Sequence, residues 1–183
     1  MNLYGRILSP FVLRVAIWCA LQDRAYTLKP LAAMEPADES AIRKVHPGRR
    51  VPALELDDGT VIAESVAIMR YLEAEQPDPP LFGTTAREIA EIEMWNRRVE
   101  MILMPAIAAV WVHTHPFTAA LPGRNVEWGE SNRPRVVEGM RFFDGSLEGR
   151  EYLAGSAFSA ADILLLTTVD FAKFIGLEMP SEC

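Results

Sequence analysis

The sequence predicts an α/β region followed by an all-α region. Three observations support this. Up to about residue 76, short apolar runs alternate with segments of helical period. The run Pro77-Asp78-Pro79-Pro80 then interrupts both patterns. Beyond it the strand signals mostly vanish and long helical segments take over.

The elements follow in order. Asn2 to Gly5 reads as a short opening strand. Ser9-Pro10 has the form of a helix start, a hydroxyl cap with proline at the first helical position. Phe11 to Leu21 continues it, with apolar residues at Val12, Val15, Ala16, Cys19 and Ala20. Tyr26 to Leu31 reads as a second strand, and Pro36 to Val45 as a weaker helix ended by His46-Pro47-Gly48. Val51 to Leu56 is a short apolar run. Asp57-Asp58-Gly59-Thr60 signals a hairpin, and Val61 to Ala63 is its partner strand. Glu64-Ser65 precedes an amphipathic helix that ends before Gln76-Pro77.

In the second half, Arg87 to about His113 forms one long helical stretch that Pro105 is expected to kink. Pro116 to Gly129 reads as a loop with a turn at Pro122-Gly123, and Asn132 to Leu147 as a helix. A last helix begins at Phe158-Ser159-Ala160-Ala161-Asp162. Ser159 and Asp162 have the spacing of a capping box, and Phe158 with Ile163 that of a hydrophobic staple.

Composition narrows the function classes. Half of the 183 residues are hydrophobic, enough for a sizeable core. The formal charge of -7, from 25 acidic and 18 basic side chains, argues against nucleic acid as a partner. No apolar run approaches the roughly 20 residues that span a bilayer, and no secretory signal is visible in the opening residues. Two cysteines, Cys19 and Cys183, make no disulfide framework, so a cytoplasmic location is expected. His113 and His115 lie two residues apart on different helix faces, without a third ligand at metal-binding spacing, so no metal is expected.

Four places can carry chemistry. Ser9, at a helix N-terminus, can donate a hydrogen bond to a thiolate that the helix dipole also favours, or it can simply cap the helix. Val51-Pro52 lies at a strand start. A cis bond there would turn out the Val51 main chain for an extended peptide, and a trans bond would make it an ordinary strand opening. Glu64-Ser65, at the head of the third helix, suits an ammonium and a carboxylate, or caps that helix. Arg43, Lys44, His46, Arg49 and Arg50 form a local basic excess that can hold another carboxylate or be a solvated patch. Jointly they describe a site for a peptide with a thiol, a main-chain segment and an amino-acid end.

These residues resemble the glutathione S-transferase family, in particular its serine-type bacterial and plant (phi/theta-like) members. The resemblance rests on Leu3-Tyr4-Gly5 with Ser9-Pro10 and Val12-x-Arg14-Val15. It continues through His46-Pro47-Gly48-Arg49-Arg50-Val51-Pro52-Ala53-Leu54, Asp57-Asp58-Gly59 and Glu64-Ser65-x-Ala67-Ile68-x-x-Tyr71-Leu72. In the second half it extends to Trp95-x-Arg97-Arg98, to His113-Thr114-His115-Pro116, and to Tyr152-Leu153-Ala154-Gly155 with Phe158-Ser159-x-x-Asp162. It implies a thioredoxin-like glutathione-binding domain over residues 1–76, a linker over 77–85, and a helical domain over 86–183 that forms the electrophile site and is apparently shortened. Ser9 would stabilise the glutathione thiolate. Val51 would pair with the cysteinyl main chain, with Pro52 cis. Glu64 and Ser65 would hold the γ-glutamyl end, and Arg50 would lie near the glycyl end. Phe11, Met104, Trp111 and Phe117 would line the electrophile site. The resemblance further implies a detoxifying transferase that is a homodimer and uses glutathione as co-substrate without a metal. Peroxidase or dehalogenase chemistry on the same site, or a non-catalytic binding or regulatory role, remain alternatives. One departure stands out: where the family has Asn-Pro-x-Gly, this chain has His46-Pro47-Gly48-Arg49, with the glycine one place earlier.

Overall fold

The computed structural model describes residues 1–31 and 36–181. The chain divides into two compact units, Met1–Leu81 and Phe82–Cys183.

In the first unit, strands β1 (Asn2–Tyr4), β2 (Thr27–Lys29), β3 (Ala53–Glu55) and β4 (Val61–Ala63) form one sheet in the order β2-β1-β3-β4. β1 and β2 are parallel, because helix α1 (Pro10–Leu21) crosses between them; the other two pairings are antiparallel. Each strand is only three residues long, shorter than the apolar runs of the sequence. The Val51–Pro52 peptide is cis. β3 starts at Ala53 rather than Val51, since Pro52 offers no N–H to a ladder. A 3-10 turn (Pro36–Asp38) leads into helix α2 (Glu39–Val45), where the sequence reads as one helix.

Helix α3 (Ser65–Glu75) packs on α1. Val12, Val15, Trp18 and Cys19 of α1 and Ile68, Met69 and Leu72 of α3 are all fully buried. Ala20, counted with the apolar face in the sequence, is exposed. Side-chain amides tie the two helix ends together. Gln22 donates to the Gln76 carbonyl at 2.7 Å, and Gln76 donates back to the Gln22 carbonyl at 3.2 Å. Arg24 donates to the last-turn carbonyl of Leu72 at 2.7 Å. Cys19 is free, and burial pushes its thiol up to about 11. Cys183 lies outside the described residues.

The regular elements of the second unit are all helical among its described residues. Helix α4 (Ala86–Arg98) opens with a capping box: Thr85 Oγ1 accepts from the Glu88 N–H, and the Glu88 carboxylate accepts from the N–H groups of Thr84 and Thr85. These bonds hold Glu88 down at about 2. The long stretch is not one uninterrupted α-helix. A wider π turn (Val99–Leu103) precedes helix α5 (Met104–Thr114), and the Met104 N–H reaches back five residues to the Val99 carbonyl. Pro105 has no N–H and its ring crowds the preceding turn; a widened turn ahead of it accommodates both effects.

Pro116 to Gly129 is not a simple loop. It holds a 3-10 turn (Pro116–Thr118) and helix α6 (Val126–Ser131), whose N-cap Asn125 accepts from the Trp128 N–H. Gly129 is a packing residue: a Cβ there would lie 2.5 Å from Thr114 Cγ2, so α6 can close on α5 only with glycine. Helix α7 (Arg133–Leu147) follows, then α8 (Ala160–Phe174), which packs on α4. At the head of α8 the Asp162 carboxylate accepts from the Ser159 N–H and hydroxyl and from the Leu153 N–H. Phe158 meets Tyr152 edge-on at 6.2 Å. No helix among the described residues is long and apolar enough to cross a membrane.

Candidate functional site

Sheet register gathers the first-unit candidates. Tyr4 lies opposite Ala53, and Ala53 opposite Ala63. The residues just beyond this row, Gly5, Pro52 and Glu64, therefore emerge at one end of the sheet. The loop to Ser9, the cis peptide and the head of α3 all start there.

Gly5 makes the close approach possible. Its φ is +138°, and a Cβ built on it would stand 2.3 Å from Val12 Cγ2 and 3.1 Å from Val51 Cβ. Among the described residues, neither the N–H nor the carbonyl of Val51 takes a backbone partner. This half-buried main-chain segment can pair with an extended ligand.

Ser9 is half-buried at the N-terminus of α1, with extended backbone (φ -74°, ψ 124°), and its side chain makes no capping hydrogen bond. Its carbonyl accepts from the Leu13 N–H, so the helix starts correctly while the hydroxyl is left for something else. Ser65 is buried in the first turn of α3, and the Arg14 guanidinium donates to its Oγ at 3.4 Å. Arg14 is itself fully buried, with its guanidinium 4.8 Å from the centre of the Phe11 ring. A cation so placed raises the positive potential under the α3 N-terminus, which already favours an anion.

Glu64 precedes Ser65 at φ 69° and ψ 120°, outside the regions open to a residue with a side chain. Such a conformation costs of order 1–3 kcal/mol and clusters at ligand sites. Glu64 makes no capping bond, and its side chain is three-quarters exposed. Of the basic group, Arg43 and Arg49 are both held by Glu39, at 2.8 and 3.1 Å, and they lower the Glu39 carboxyl. Arg50 is exposed and has no ion-pair partner among the described residues.

The sequence matches two family models: "Glutathione S-transferase, N-terminal domain" over residues 8–75 and "Glutathione S-transferase, C-terminal domain" over residues 104–182. The crystal structure of Gtt2 from Saccharomyces cerevisiae superposes with a TM-score of 0.91 at 32% identity, covering 100% of this chain and 90% of that one. The chain belongs to the glutathione S-transferase family. Its first unit is the thioredoxin-like domain of that family, and its second is the family's helical C-terminal domain.

Two curated relatives agree with this assignment. Glutathione S-transferase 2 of Saccharomyces cerevisiae is 40% identical over 135 residues, which is 73% of this chain and 58% of that protein. A probable maleylacetoacetate isomerase 2 of Drosophila melanogaster is 38% identical over 176 residues, 91% of this chain and 71% of that protein. The chain thus spans a little under three fifths of the first of these relatives.

The remaining candidates divide by unit. Phe11 is half-buried beneath Arg14 in the first unit. In the second, Met104 is buried in the helical core. Trp111 packs against His115 at 4.4 Å and edge-on against Phe171 at 5.3 Å and Phe117 at 6.3 Å. Phe117 is 69% exposed, which leaves most of its face available. The two histidines of this stretch serve local structure. His113 Nδ1 accepts from the Asn125 N–H and His115 Nδ1 from the Phe117 N–H, and burial lowers the His115 pKa.

Sequence reasoning gave no role to Arg14, although it lies on the same face of α1 as Val15 and Trp18. A charged residue on a buried helix face is the signal that could have singled it out.

Proposed function

We propose that this chain is a serine-type glutathione transferase, which attacks an apolar electrophile with the thiolate of glutathione. The observation that carries the reading is the Ser9 hydroxyl, which stands at a helix N-terminus yet takes no part in capping it. Donated to a sulfur, that hydroxyl stabilises the thiolate over the thiol, and the end of the α1 dipole adds to the effect. The cysteinyl main chain pairs with Val51 beside cis Pro52. The γ-glutamyl carboxylate meets Ser65 and the α3 N-terminus, its ammonium meets Glu64, and Arg50 lies toward the glycyl carboxylate. A new S–C bond then forms, either as a leaving group departs with its electron pair or as electrons shift onto a conjugated acceptor that takes up a proton. Catalysis comes from thiolate stabilisation and proximity. Trp111 and Phe117 are proposed to supply apolar contact to the electrophile.

Retention on immobilised glutathione, with release by free glutathione, tests the reading. A protein that does not bind the column, and whose activity toward an aryl halide is unchanged by Ser9→Ala, would refute it. A homodimer in the cytoplasm belongs to the same proposal, and sedimentation at micromolar concentration showing a monomer would count against the dimer.

A further inference from the structure

His46 differs from the basic residues that surround it in sequence. Its backbone is fixed on both sides: its N–H donates to the Ile42 carbonyl at 2.7 Å, and its carbonyl accepts from the Arg49 N–H at 2.8 Å. Its side chain is only 12% exposed, while that of Glu64 is 75% exposed. The ring is fixed as well. Nδ1 accepts from the Gly48 N–H at 3.0 Å, so in the neutral ring the proton sits on Nε2. Nε2 lies 3.6 Å from Glu64 Oε1, within ion-pair reach but longer than a direct hydrogen bond.

We propose that His46 is a positioning residue for Glu64, holding its carboxylate at the head of α3 where the ammonium of the ligand is received. The inference rests on the reading of Glu64 given above. An exposed glutamate has many rotamers, and binding through it costs their entropy. A donor fixed beside one oxygen narrows that choice before the ligand arrives. The displaced glycine of the His46-Pro47-Gly48 motif fits the same account. A Cβ at position 48 would lie 3.0 Å from His46 Cε1 and 3.2 Å from Nδ1, so glycine leaves room for the ring. Asparagine at position 46 would still accept the Gly48 N–H as an Asx turn. It has no atom in the Nε2 position, so it would keep the turn and lose the reach to Glu64.

That difference makes His46→Asn the test. Reduced glutathione is titrated calorimetrically into the full chain and into His46→Asn, Glu64→Ala and the double variant, with melting temperatures alongside. The expected result is an about two- to fivefold higher Kd for His46→Asn, in line with a partly exposed pair. The melting temperature is held within about 2 °C, kcat is unchanged at saturating glutathione, and there is no further loss in the Glu64→Ala background. Gly48→Ala crowds the ring from its other side and should give a loss in the same direction. Unchanged binding in both His46→Asn and Gly48→Ala would overturn the inference alone. So would a His46→Asn loss that persists in full without the Glu64 carboxylate. Absence of glutathione binding by the unmodified chain would overturn the functional reading and this inference together.

Discussion

Gly5→Ala is the substitution whose cost the structure specifies most closely. Gly5 closes β1, donates its N–H to the Lys29 carbonyl at 2.9 Å, and has φ at +138°. An alanine there meets two separate penalties. Holding a residue with a Cβ at this φ costs about 1–3 kcal/mol. The added methyl would sit 2.3 Å from Val12 Cγ2, a contact no real Cβ makes, and Val12 is fully buried and cannot swing away. Overpacking of this kind costs about 1–3 kcal/mol. The sum is about 2–6 kcal/mol, or roughly 4–24 °C in melting temperature at 2–4 °C per kcal/mol for a chain of this size. The same methyl would lie 3.1 Å from Val51 Cβ, so glutathione affinity should fall with stability. Denaturant unfolding of Gly5→Ala, Val12→Ala and the double variant separates the causes. Truncating Val12 removes the 2.3 Å contact, so the double variant should cost at least about 1 kcal/mol less than the sum of the singles. A Gly5→Ala protein within about 0.5 kcal/mol of the parent would refute both the backbone and the packing argument.

Two further outcomes follow from the titrating groups. Glu88 is held at about 2 by the capping box, below its unfolded value, so its contribution is fully present above about pH 4.5 and is lost as pH falls through about 2. Glu88→Gln should therefore lower the denaturant midpoint at pH 7, with the gap narrowing steadily below pH 5; a gap independent of pH would contradict the assignment. Cys19, with its thiol near 11, should not react with a disulfide reagent at pH 8 in the folded protein and should react on unfolding, and rapid native labelling would show that the α1–α3 core opens.

Much of the first unit is legible in the sequence because its signals are local. Ser9-Pro10 starts α1, Asp57-Asp58-Gly59-Thr60 turns the β3–β4 hairpin, and the apolar spacing of Ile68 and Leu72 marks the buried face of α3. The strands come out shorter than their apolar runs, since hydrophobicity marks burial while the β3 ladder begins only after Pro52, which has no N–H to give it. α6 is hidden because Gly129 reads as a breaker, although its real role is contact with Thr114, which no local pattern shows. Asn125 was the readable sign of that helix. For the site, residue types were legible and their use was not. Ser9 and Glu64 each read first as caps, and only the hydrogen-bond pattern of the fold shows that neither side chain caps its helix. Arg14 and His46 gain their places through contacts with residues 51 and 18 positions away, beyond any spacing rule.

The central claim is that the Ser9 hydroxyl at the head of α1 holds glutathione as its thiolate. The direct measurement is the pH titration of bound glutathione by thiolate ultraviolet absorbance, in the parent and in Ser9→Ala. A hydrogen bond to a charged group is worth about 1.5–3 kcal/mol. The bound thiol should therefore titrate below the free value of about 8.5 in the parent and about one to two pH units higher in Ser9→Ala. Superimposable titrations of the two proteins would contradict the account.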